Sequence, residues 1–492
     1  MTSVQSDARE AKQYIAGAWA DASKGGTFED LDPFTGDVVA LVPAGGREDA
    51  ARAIEAAAAA FPEWSQSLPA QRQAVFLKAA DILESRRDEV VGLLARETGA
   101  SFGFAMFQMS FVPGLLRQAA AAAYAPLGQI IPSDHPGTLA MGIRRPVGVV
   151  AAIAPWNAAL ILSARSIAAP LALGNTVVLK PSELSPVVGG LIWGEIFAEA
   201  GLPAGVLNIV THAPGDAGPI GDEFCENPAV RRINFTGSTA TGRRLAEAAG
   251  RNLKRVLLEL GGFNPMIVLA DADLDYAVNA SAFGAFLHQG QICMSARRVI
   301  VERPIAAEFT ARLAEKTKTL KAGDPNEHDT VIGPLINEAA LQMVKERVQD
   351  AVAKGAKVLA GGEAVGPCFQ ATVITDVPED SELAKHETFG PVLTVEVVDS
   401  AEEGVARANA TSYGLSAAIL TADTDRGFAL AQQIESGIVH VNDQSVGDEP
   451  QMPFGGVKDS GWGRFGGQAV VDEFTELRWI TVQAGTGHPF PF

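Results

Sequence analysis

The sequence predicts an α/β protein built around parallel β-sheets. Between residues 147 and 259, short apolar runs alternate with segments of helical periodicity. This alternation is typical of parallel strands whose connecting helices cover both faces of a sheet. A second series of the same kind follows Gly262, and no repeat or low-complexity linker separates the two series. We therefore predict two α/β units in one chain, with the boundary at Gly261-Gly262.

The chain before the first series is predicted to begin with strands and to continue with helices. Residues 14–42 alternate short apolar runs with turn residues, which is typical of hairpins. Two helices are predicted at 48–61, which is rich in alanine, and at 70–99, where apolar residues recur at helical spacing. A third helix is predicted at 102–112. Its aromatic stripe is more often core than ligand-binding wall, and here it can be both: Phe104, Phe107 and Phe111.

The two series supply the remaining predicted elements. The first has expected strands at 147–153, 176–179, 206–210, 231–234 and 256–259, and expected helices at 163–173, 187–200 and 242–250. The second has expected strands at 265–268, 299–301, 357–359, 393–398, 417–420 and 439–442, and expected helices at 306–320 and 339–354. The tail after Phe474 alternates and is expected to form an edge strand. Ligands of such sheets bind at the carboxyl ends of the parallel strands.

Composition and charge exclude several classes of partner. The chain has 492 residues, enough for two or three domains, and its 58 acidic and 39 basic residues give a net charge of −19. That balance argues against nucleic acid and against anionic membrane surfaces. The three cysteines form no C-x-x-C pair, which favours a reducing compartment, and we expect the cytoplasm. The seven histidines are scattered, so we predict no metal site.

No membrane segment is predicted. Residues 1–10 are polar and mixed in charge, without the apolar core of a signal peptide. Residues 146–164 carry no charge, but Pro155-Trp156-Asn157 interrupts them. We interpret that stretch as a buried strand, a loop and a helix rather than a span.

Cys293 is the candidate nucleophile. It lies in the run F-L-H-Q-G-Q-I-C-M-S-A-R-R, after Gly290 and before the small residues Ser295 and Ala296. A nucleophilic thiol needs an open approach and nearby backbone amides for the oxyanion that forms. Glycine permits such a tight backbone because it has no Cβ. The alternative is a buried structural cysteine, which is the commoner case for a lone cysteine.

Three further sites follow strands of the first series. Asn157 comes after the first strand, where its amide can donate to an oxyanion or simply stabilise a turn. Glu259 ends the fifth strand before a glycine pair; it is either a desolvated general base or a solvated strand-end acid. Thr236-Gly237-Ser238 precedes a helix and suits a pyrophosphate, although a plain helix cap is commoner.

The pattern Gly461-x-Gly463-x-x-Gly466 matches a dinucleotide-binding fingerprint only in its letters. Too little chain follows it for a crossover helix, a second strand and an acidic partner. We predict instead a glycine-rich loop near the site.

Taken together, these motifs resemble the aldehyde dehydrogenase superfamily over nearly the whole chain and in the same order. The matching motifs are Pro155-Trp156-Asn157, Lys180-Pro181-Ser182-Glu183, Phe235-Thr236-Gly237-Ser238, Glu259-Leu260-Gly261-Gly262, Gly290-Gln291-Ile292-Cys293, Glu387-Thr388-Phe389-Gly390-Pro391 and Pro453-Phe454-Gly455-Gly456. Each motif is weak alone, but the ordered set is very specific.

The resemblance implies a mechanism in which Cys293 attacks the aldehyde carbon. Asn157 and the Cys293 amide would hold the oxyanion of the thiohemiacetal, and hydride transfer to NAD(P)+ would leave a thioester. Glu259 would activate the water that hydrolyses it. The residues that would bind the cofactor are Trp156, Lys180, Ser182, Glu183, Gly237, Ser238, Leu260, Glu387 and Phe389. Among these, Lys180 and Glu183 would hold the adenine ribose, Ser238 the pyrophosphate, and Glu387 with Phe389 the nicotinamide ribose. Because Glu183 would repel a 2′-phosphate, NAD is favoured over NADP.

Departures from the common family pattern narrow the expected substrate. Phe263 and His288 stand where members often have lysine and asparagine. The runs 288–295, 448–454 and 461–466 look like the benzaldehyde, vanillin and salicylaldehyde dehydrogenase branch. Ala158 replaces a bulky aromatic found in many members, which leaves room for a ring. The expected pocket residues are Ala158, Phe107, Ile292 and Met294, and the expected substrate is an aromatic aldehyde.

The resemblance also implies three domains. These are an NAD-binding Rossmann-like domain (1–127 and 149–260), a catalytic α/β domain (261–473) and a small β extension for oligomerisation (128–148 and 474–492). The extension would join subunits into a homodimer or homotetramer. Alternatives remain: an aliphatic aldehyde or semialdehyde dehydrogenase, a coenzyme A-acylating enzyme, a thiol esterase, or a non-catalytic relative. Coenzyme A-acylating members lack the general-base glutamate that Glu259 represents here.

Overall fold

The computed structural model describes residues 9–126, 128–485, 490 and 492. The signal-peptide expectation concerns residues 1–10, of which 1–8 lie outside the described residues, as do residue 127 and residues 486–489 and 491 of the tail. No helix in the described part of the chain is long and apolar enough to cross a membrane. In the same residues, no group of three or more His, Cys, Asp or Glu side chains is placed to hold a metal ion.

Short strands make up the first part of the chain, as predicted, and four helices follow where three were predicted. The elements are β1 (Arg9–Glu10), β2 (Gln13–Ile15), β3 (Ala18–Ala20), β4 (Thr27–Leu31), β5 (Val38–Pro43), α1 (Arg47–Ser65), α2 (Pro69–Ser85), α3 (Arg87–Thr98) and α4 (Phe102–Ala122). The single helix predicted at 70–99 is two helices, because the backbone of Arg86 is not helical (φ −98°, ψ 20°). Helix α4 extends past the predicted end at 112 and contains Pro113.

The first α/β series follows. Its elements are β6 (Gly128–Ile131), β7 (Thr138–Pro146), β8 (Val149–Ile153), α5 (Ala159–Ala172), β9 (Thr176–Lys180), a π-helical turn (Val187–Leu191), α6 (Ile192–Ala200), β10 (Leu207–Ile209), α7 (Gly218–Glu226), β11 (Val230–Thr236), α8 (Thr239–Arg251) and β12 (Arg255–Glu259). All five predicted strands of this series are present. Helix α7 was not predicted, because it is short and begins with Gly218 and Pro219, which have low helix propensity.

The second series completes the fold. Its elements are β13 (Pro265–Val268), α9 (Leu274–Phe286), a 3₁₀ turn (Leu287–Gly290), β14 (Arg298–Glu302), α10 (Arg303–Lys318), α11 (Glu338–Ala353), β15 (Lys357–Ala360), β16 (Ala364–Val365), β17 (Cys368–Phe369), β18 (Thr372–Thr375), α12 (Glu382–Lys385), β19 (Val392–Val398), α13 (Ala401–Asn409), β20 (Tyr413–Gly414), β21 (Ser416–Leu420), α14 (Thr424–Ala431), β22 (Ile438–Val441), β23 (Val457–Lys458), β24 (Gly461–Trp462), α15 (Gly467–Phe474) and β25 (Thr475–Gln483). Helix α9, which was not predicted, starts at an Asp273 cap and leads to the candidate nucleophile.

Two large sheets organise these elements. The eight-stranded sheet has the order β24-β12-β11-β8-β9-β10-β2-β3, with five parallel strands at its centre and antiparallel strands at both edges. The seven-stranded sheet has the order β15-β18-β19-β14-β13-β21-β22 and is parallel except for β15. Both are the predicted parallel sheets. Strand β24 joins the first sheet although it comes from the C-terminal part of the chain.

The core lies on both faces of each sheet. Strands β8 and β9 are buried along their whole length. Helices α2, α4, α5 and α6 pack on one face of the eight-stranded sheet, and α1, α7 and α8 pack on the other. Helices α9 and α10 cover one face of the seven-stranded sheet, while α13 and α14 cover the other. The carboxyl ends of β8, β9, β11 and β12 therefore lie along one edge of a buried sheet, where ligands bind in such folds.

A separate three-stranded antiparallel sheet has the order β25-β7-β6. The tail strand β25 pairs with β7 over nine residues, from Thr475 opposite Pro146 to Gln483 opposite Thr138. This confirms the predicted edge strand in the tail, whose partner β7 lies within the 128–148 segment of the predicted extension. The division of the chain into three domains at the predicted boundaries stays a prediction.

Candidate active site

The loop that carries Cys293 has an unusual backbone. It leaves α9 through three consecutive left-handed residues, His288 (φ 50°), Gln289 (φ 54°) and Gly290 (φ 68°). Non-glycine residues rarely adopt this conformation, and they hold it only where the surroundings enforce it. At Gly290 a Cβ would lie 2.3 Å from the carbonyl oxygen of Gly390, so no larger residue fits. The sharp turn brings Cys293 to the interface between the two large sheets.

Asn264 fixes the backbone at the cysteine and two residues after it. Its Nδ2 donates to the carbonyl oxygens of Cys293 (2.6 Å) and Ser295 (2.9 Å). Its Oδ1 accepts from the amide of Ser416 at 3.1 Å, which ties the loop to β21. Gly262 lies so close that a Cβ there would be 2.5 Å from the Cys293 carbonyl oxygen. Asn264 was not among the predicted residues; its only signal is a polar residue just before the buried strand β13.

Arg297 also fixes the Cys293 loop. Its fully buried guanidinium donates to three carbonyl oxygens, those of Gly290 (2.7 Å), Ile292 (3.2 Å) and Gly390 (3.1 Å). It also lies 3.9 Å from a carboxylate oxygen of Glu387. The guanidinium therefore joins the nucleophile loop to the 387–390 loop.

Glu259 is the closest titratable neighbour of the thiol. It ends β12, is 1% exposed, and lies close enough to the Cys293 side chain for each group to shift the pKa of the other. Burial raises the pKa of Glu259 to about 8, against the opposing effect of Cys293. Burial and the Glu259 carboxylate raise the pKa of the Cys293 thiol well above its usual value. Within the described residues, Glu259 Oε1 has no hydrogen-bond partner. At neutral pH the thiol and most Glu259 carboxyls therefore carry a proton, and the ionised carboxylate has an oxygen free to accept one.

Asn157 reaches the same loop from the other sheet. It follows β8 and is buried, and its Nδ2 donates to the carbonyl oxygen of Gln291 at 2.8 Å. Because a primary amide has two N–H groups, this bond orients the side chain and leaves a second donor. Behind it, the ring of His288 stacks on Phe104 at 4.4 Å between ring centres. Burial lowers the pKa of His288 to about 3, so this imidazole is neutral at physiological pH.

Two of the predicted cofactor-binding residues are in contact. The rings of Trp156 and Phe389 meet edge to face, with 5.6 Å between their centres. Phe389 has a left-handed backbone (φ 49°). Nearby, Glu387 accepts a hydrogen bond from the amide of Gly262 at 3.2 Å, and burial raises the pKa of its carboxyl. These residues lie around the same glycine pair that follows Glu259.

The predicted ribose-side residues form a second group at the end of β9. Lys180 Nζ donates to the carbonyl oxygen of Pro181 (2.9 Å) and lies 2.7 Å from Nε2 of His212. Ser182 Oγ donates to Glu183 Oε2 at 3.2 Å. His212 was not among the predicted residues, and a single histidine in an apolar region gives little signal.

The predicted pyrophosphate-side residues lie at the start of α8. Ser238 is the N-cap of α8 and accepts from the amide of Thr241 at 3.4 Å. Gly237 donates its amide to the carbonyl oxygen of Glu259 at 3.0 Å, and Leu260 donates to that of Ser460 at 3.1 Å. The dinucleotide-like glycine pattern does not open a βαβ unit, since Gly461 in β24 pairs antiparallel with Glu259. It lies near the site, as predicted.

The predicted pocket residues divide into two groups. Ile292 and Met294 flank the cysteine and are buried, and Ala158 is buried at the start of α5. Phe107 is 39% exposed and stacks with Phe104, 6.2 Å away between ring centres. Phe107 is therefore the exposed middle member of an aromatic row on α4, between Phe104 and Phe111.

A buried ion pair beside this row was not predicted. The guanidinium of Arg165 lies 4.1 Å from the ring centre of Phe454 and 5.9 Å from that of Phe111. It pairs with Asp448 at 2.5 Å, and the two side chains are 7% and 9% exposed. Its charge acts on both Cys293 and Glu259. The available signal was that Arg165 is the only charged residue in the apolar helix α5.

Comparisons with known proteins agree with this geometry. The Aldehyde dehydrogenase family profile matches residues 19–480. The chain is 49% identical to a vanillin dehydrogenase of Pseudomonas fluorescens over 474 residues, covering 96% of this chain and 98% of that protein. It is 43% identical to an NAD(+) benzaldehyde dehydrogenase of Pseudomonas putida, covering 96% of each chain.

A solved structure with the same fold is that of a salicylaldehyde dehydrogenase from Pseudomonas putida G7, complexed with salicylaldehyde. The TM-score is 0.96 at 42% identity, and the match covers 98% of this chain and 100% of the other. Profile, relatives and fold agree over nearly the full length. The chain belongs to the aldehyde dehydrogenase family, whose members oxidise aldehydes with NAD(P).

Proposed function

We propose that this enzyme oxidises aromatic aldehydes to carboxylic acids with NAD, through a thiohemiacetal and a thioester on Cys293. The observation that carries the proposal is the burial of the Cys293 thiol beside the buried Glu259 carboxyl, each of which shifts the pKa of the other, in a site where Asn157 has a donor to spare. The relatives named above, which act on vanillin, benzaldehyde or salicylaldehyde by their names, support the aromatic substrate.

The first step depends on the proximity of the Cys293 thiol and the Glu259 carboxylate. Because the pKa of the Cys293 thiol is raised, the resting group is protonated, and Glu259 takes its proton as the sulfur attacks. A C–S bond forms, and the aldehyde oxygen becomes an oxyanion. The second Nδ2 hydrogen of Asn157 and the backbone N–H of Cys293 stabilise that charge. The Cys293 loop is already fixed by Asn264 and Arg297, and Asn157 is bonded to it through the Gln291 carbonyl, so little reorganisation is needed.

The residues around Gly237 and around the Gly261-Gly262 pair fit a dinucleotide. A dinucleotide held there would supply a nicotinamide ring that can accept the hydride from the substrate carbon. Lys180 and the half-exposed carboxylate of Glu183 provide a donor and an acceptor for ribose hydroxyls. The other proposed contacts are those of Ser182, Gly237, Ser238 and Leu260 near the pyrophosphate and adenosine, and of Glu387, Phe389 and Trp156 near the nicotinamide. The exposed N-terminus of α8 supplies the partial positive charge that favours a phosphate.

The last step is hydrolysis of the thioester. Once the proton taken from the thiol has passed to solvent, Glu259 accepts a proton from water, and the resulting hydroxide attacks the acyl carbon. The C–S bond breaks, the thiolate of Cys293 leaves and takes the proton back from Glu259, and the acid is released. A carboxylate of ordinary pKa would be a weaker base, so the burial of Glu259 serves this step.

The proposed preference for NAD rests on charge. Glu183 would accept hydrogen bonds from ribose hydroxyls and would repel a 2′-phosphate. Steady-state kinetics with both cofactors tests this. Equal kcat/KM for NAD and NADP would contradict it.

The proposed aromatic specificity rests on the pocket beside Cys293. Ala158 is small and leaves room for a ring. The apolar walls are Ile292, Met294 and the aromatic row of α4 that contains Phe107. The test is a panel containing benzaldehyde, vanillin, salicylaldehyde, propanal and succinic semialdehyde, with reduced cofactor followed by absorbance. We expect the ring substrates to have the highest kcat/KM, and Ala158→Phe to lower it for rings more than for propanal. A preference of the wild type for propanal or the semialdehyde would refute the aromatic assignment, and a strict requirement for coenzyme A would refute hydrolysis by Glu259.

Self-association is proposed from the surface of the β25-β7-β6 sheet. Leu477, Trp479 and Val482 on β25 are 64%, 78% and 52% exposed, and Ile130 on β6 is 76% exposed. Apolar side chains so exposed on one small sheet indicate an interface with a second copy. We propose a homodimer or homotetramer, to be measured by light scattering.

The cytoplasm is the proposed compartment, supported by three cysteines that are all free.

A further inference from the structure

The contact between Lys180 and His212 has no role in the function proposed so far. Strands β9 and β10 are parallel neighbours, so Lys180 at the end of β9 lies beside His212, three residues beyond β10. His212 is 1% exposed, and its Nδ1 lies 2.9 Å from the carbonyl oxygen of Ala213. A carbonyl can only accept, so Nδ1 carries the hydrogen and Nε2 keeps its lone pair. The Lys180 ammonium, 2.7 Å from Nε2, is therefore the donor in that bond.

The surrounding charges keep the proton on the lysine. Burial and the charge of Lys180 lower the pKa of His212 to about 4, although the carboxylates of Glu183 and Asp216 oppose this. Burial also lowers the pKa of Lys180, but only to about 8, with Glu183 opposing. At neutral pH the imidazole is thus an uncharged acceptor and the amine is mainly an ammonium.

This acceptor changes what Lys180 can do. An ammonium has three N–H groups, and Pro181 and His212 take two of them. The Glu183 carboxylate lies near this contact, 3.7 Å from His212 Nε2. Lys180 and Glu183, both within the described residues, form no direct ion pair. Without His212, a desolvated ammonium would pair with Glu183, and that pair would occupy the carboxylate that a ribose needs.

We propose that His212 is a positioning residue of the ribose site: it binds one N–H of Lys180 and so keeps Glu183 free for the hydroxyls of the NAD adenosine. This inference rests on the proposed function, which assigns Lys180 and Glu183 to the cofactor. His212 acts on the affinity for the cofactor and not on the chemistry at Cys293.

The experiment is a titration of NAD+ and NADP+ by calorimetry, in full-length wild type and in His212→Leu, His212→Gln, Lys180→Met and the double variant Lys180→Met/His212→Leu. We expect His212→Leu to raise the Kd for NAD+ about tenfold, the usual effect of losing one hydrogen bond to a charged group. His212→Gln keeps an acceptor oxygen and should stay within about threefold of wild type. In the Lys180→Met background, His212→Leu should change the Kd less than about twofold, because the effect acts through Lys180.

Two results would overturn the inference: unchanged NAD+ affinity in His212→Leu, or an equal loss in the Lys180→Met background. The kinetic readout is a split, with KM for NAD+ raised and kcat kept. If His212→Leu does not fold, His212→Ala serves the same comparison. Wild type that fails to bind either cofactor would refute the proposed function itself, whereas wild type that binds NAD+ with an unaffected His212→Leu would refute this inference alone.

Discussion

The ionisation of Glu259 is expected to set the pH dependence of thioester hydrolysis. Burial raises the pKa of this carboxyl to about 8, and only the ionised form can accept a proton from water. At pH 7 about one molecule in eleven then carries the carboxylate, and at pH 9 about ten in eleven do. When hydrolysis limits turnover, kcat should therefore rise about tenfold over this interval. An ordinary glutamate would already be ionised at pH 7 and would give no such rise.

Glu259→Gln tests this assignment directly. The variant keeps the size of the side chain and an oxygen that can accept from the Cys293 thiol, but it cannot accept a proton from water. We expect hydrolysis to fall by about 10²- to 10⁴-fold, the usual contribution of a general base, and to lose its rise with pH. Acylation also loses the base that takes the thiol proton, but removal of the carboxylate lowers the pKa of Cys293 and so favours the thiolate. We therefore expect acylation to slow less than hydrolysis.

The assay is stopped-flow absorbance of reduced cofactor under excess aldehyde and NAD+. Glu259→Gln should give a burst approaching one equivalent per subunit, followed by slow turnover. Glu223→Gln is the matched control, since Glu223 is also nearly buried but contacts Arg47 and Asn227. Hydrolysis at the wild-type rate in Glu259→Gln, or an unchanged rise between pH 7 and pH 9, would refute the assignment.

Three other perturbations have defined outcomes. Asn157→Ala should lower the burst rate by about 10²- to 10³-fold through loss of an oxyanion donor; an unchanged burst would exclude that role. Arg165→Met leaves Asp448 buried and unpaired, so it should lower the free energy of unfolding by about 3–5 kcal/mol, measured with urea. The double variant Arg165→Met/Asp448→Asn should recover part of that loss, and no recovery would contradict the pairing argument. Trp479→Glu places a charge on the exposed face of β25 and should yield a smaller species by light scattering; an unchanged mass would exclude this face from the interface.

The parallel strands and the main site residues could be predicted because their signals are local. Each buried strand is a short apolar run, and each motif residue directly follows a strand or opens a helix. Glu259 and Asn157 were placed at strand ends on this basis, and the structure puts both at the loop of Cys293. Their catalytic roles were predicted from the family resemblance and stay proposals.

The contacts that a local pattern cannot reveal were missed. The edge strand β24 has two residues and pairs with β12 from about two hundred positions away, so no periodicity announces it. Arg165 and Asp448 meet across a similar separation in sequence. His212 acquires its meaning only from the neighbouring end of β9. In each case the long-range packing, and not the residue itself, creates the interaction.

The neighbouring charges show why Glu259, among the buried carboxyls of the site, has a pKa near neutrality. Three carboxyls are buried here, and burial raises the pKa of each: Glu259, Glu387 and Asp448. Asp448 is held by Arg165 at 2.5 Å, and Glu387 lies 3.9 Å from Arg297, so each has a cation that opposes the rise. Glu259 has no such ion pair in the described residues, and Arg165 acts on it only through space. Since an unpaired buried carboxylate is costly, the fold accepts this cost at the one position where a base must take a proton at neutral pH.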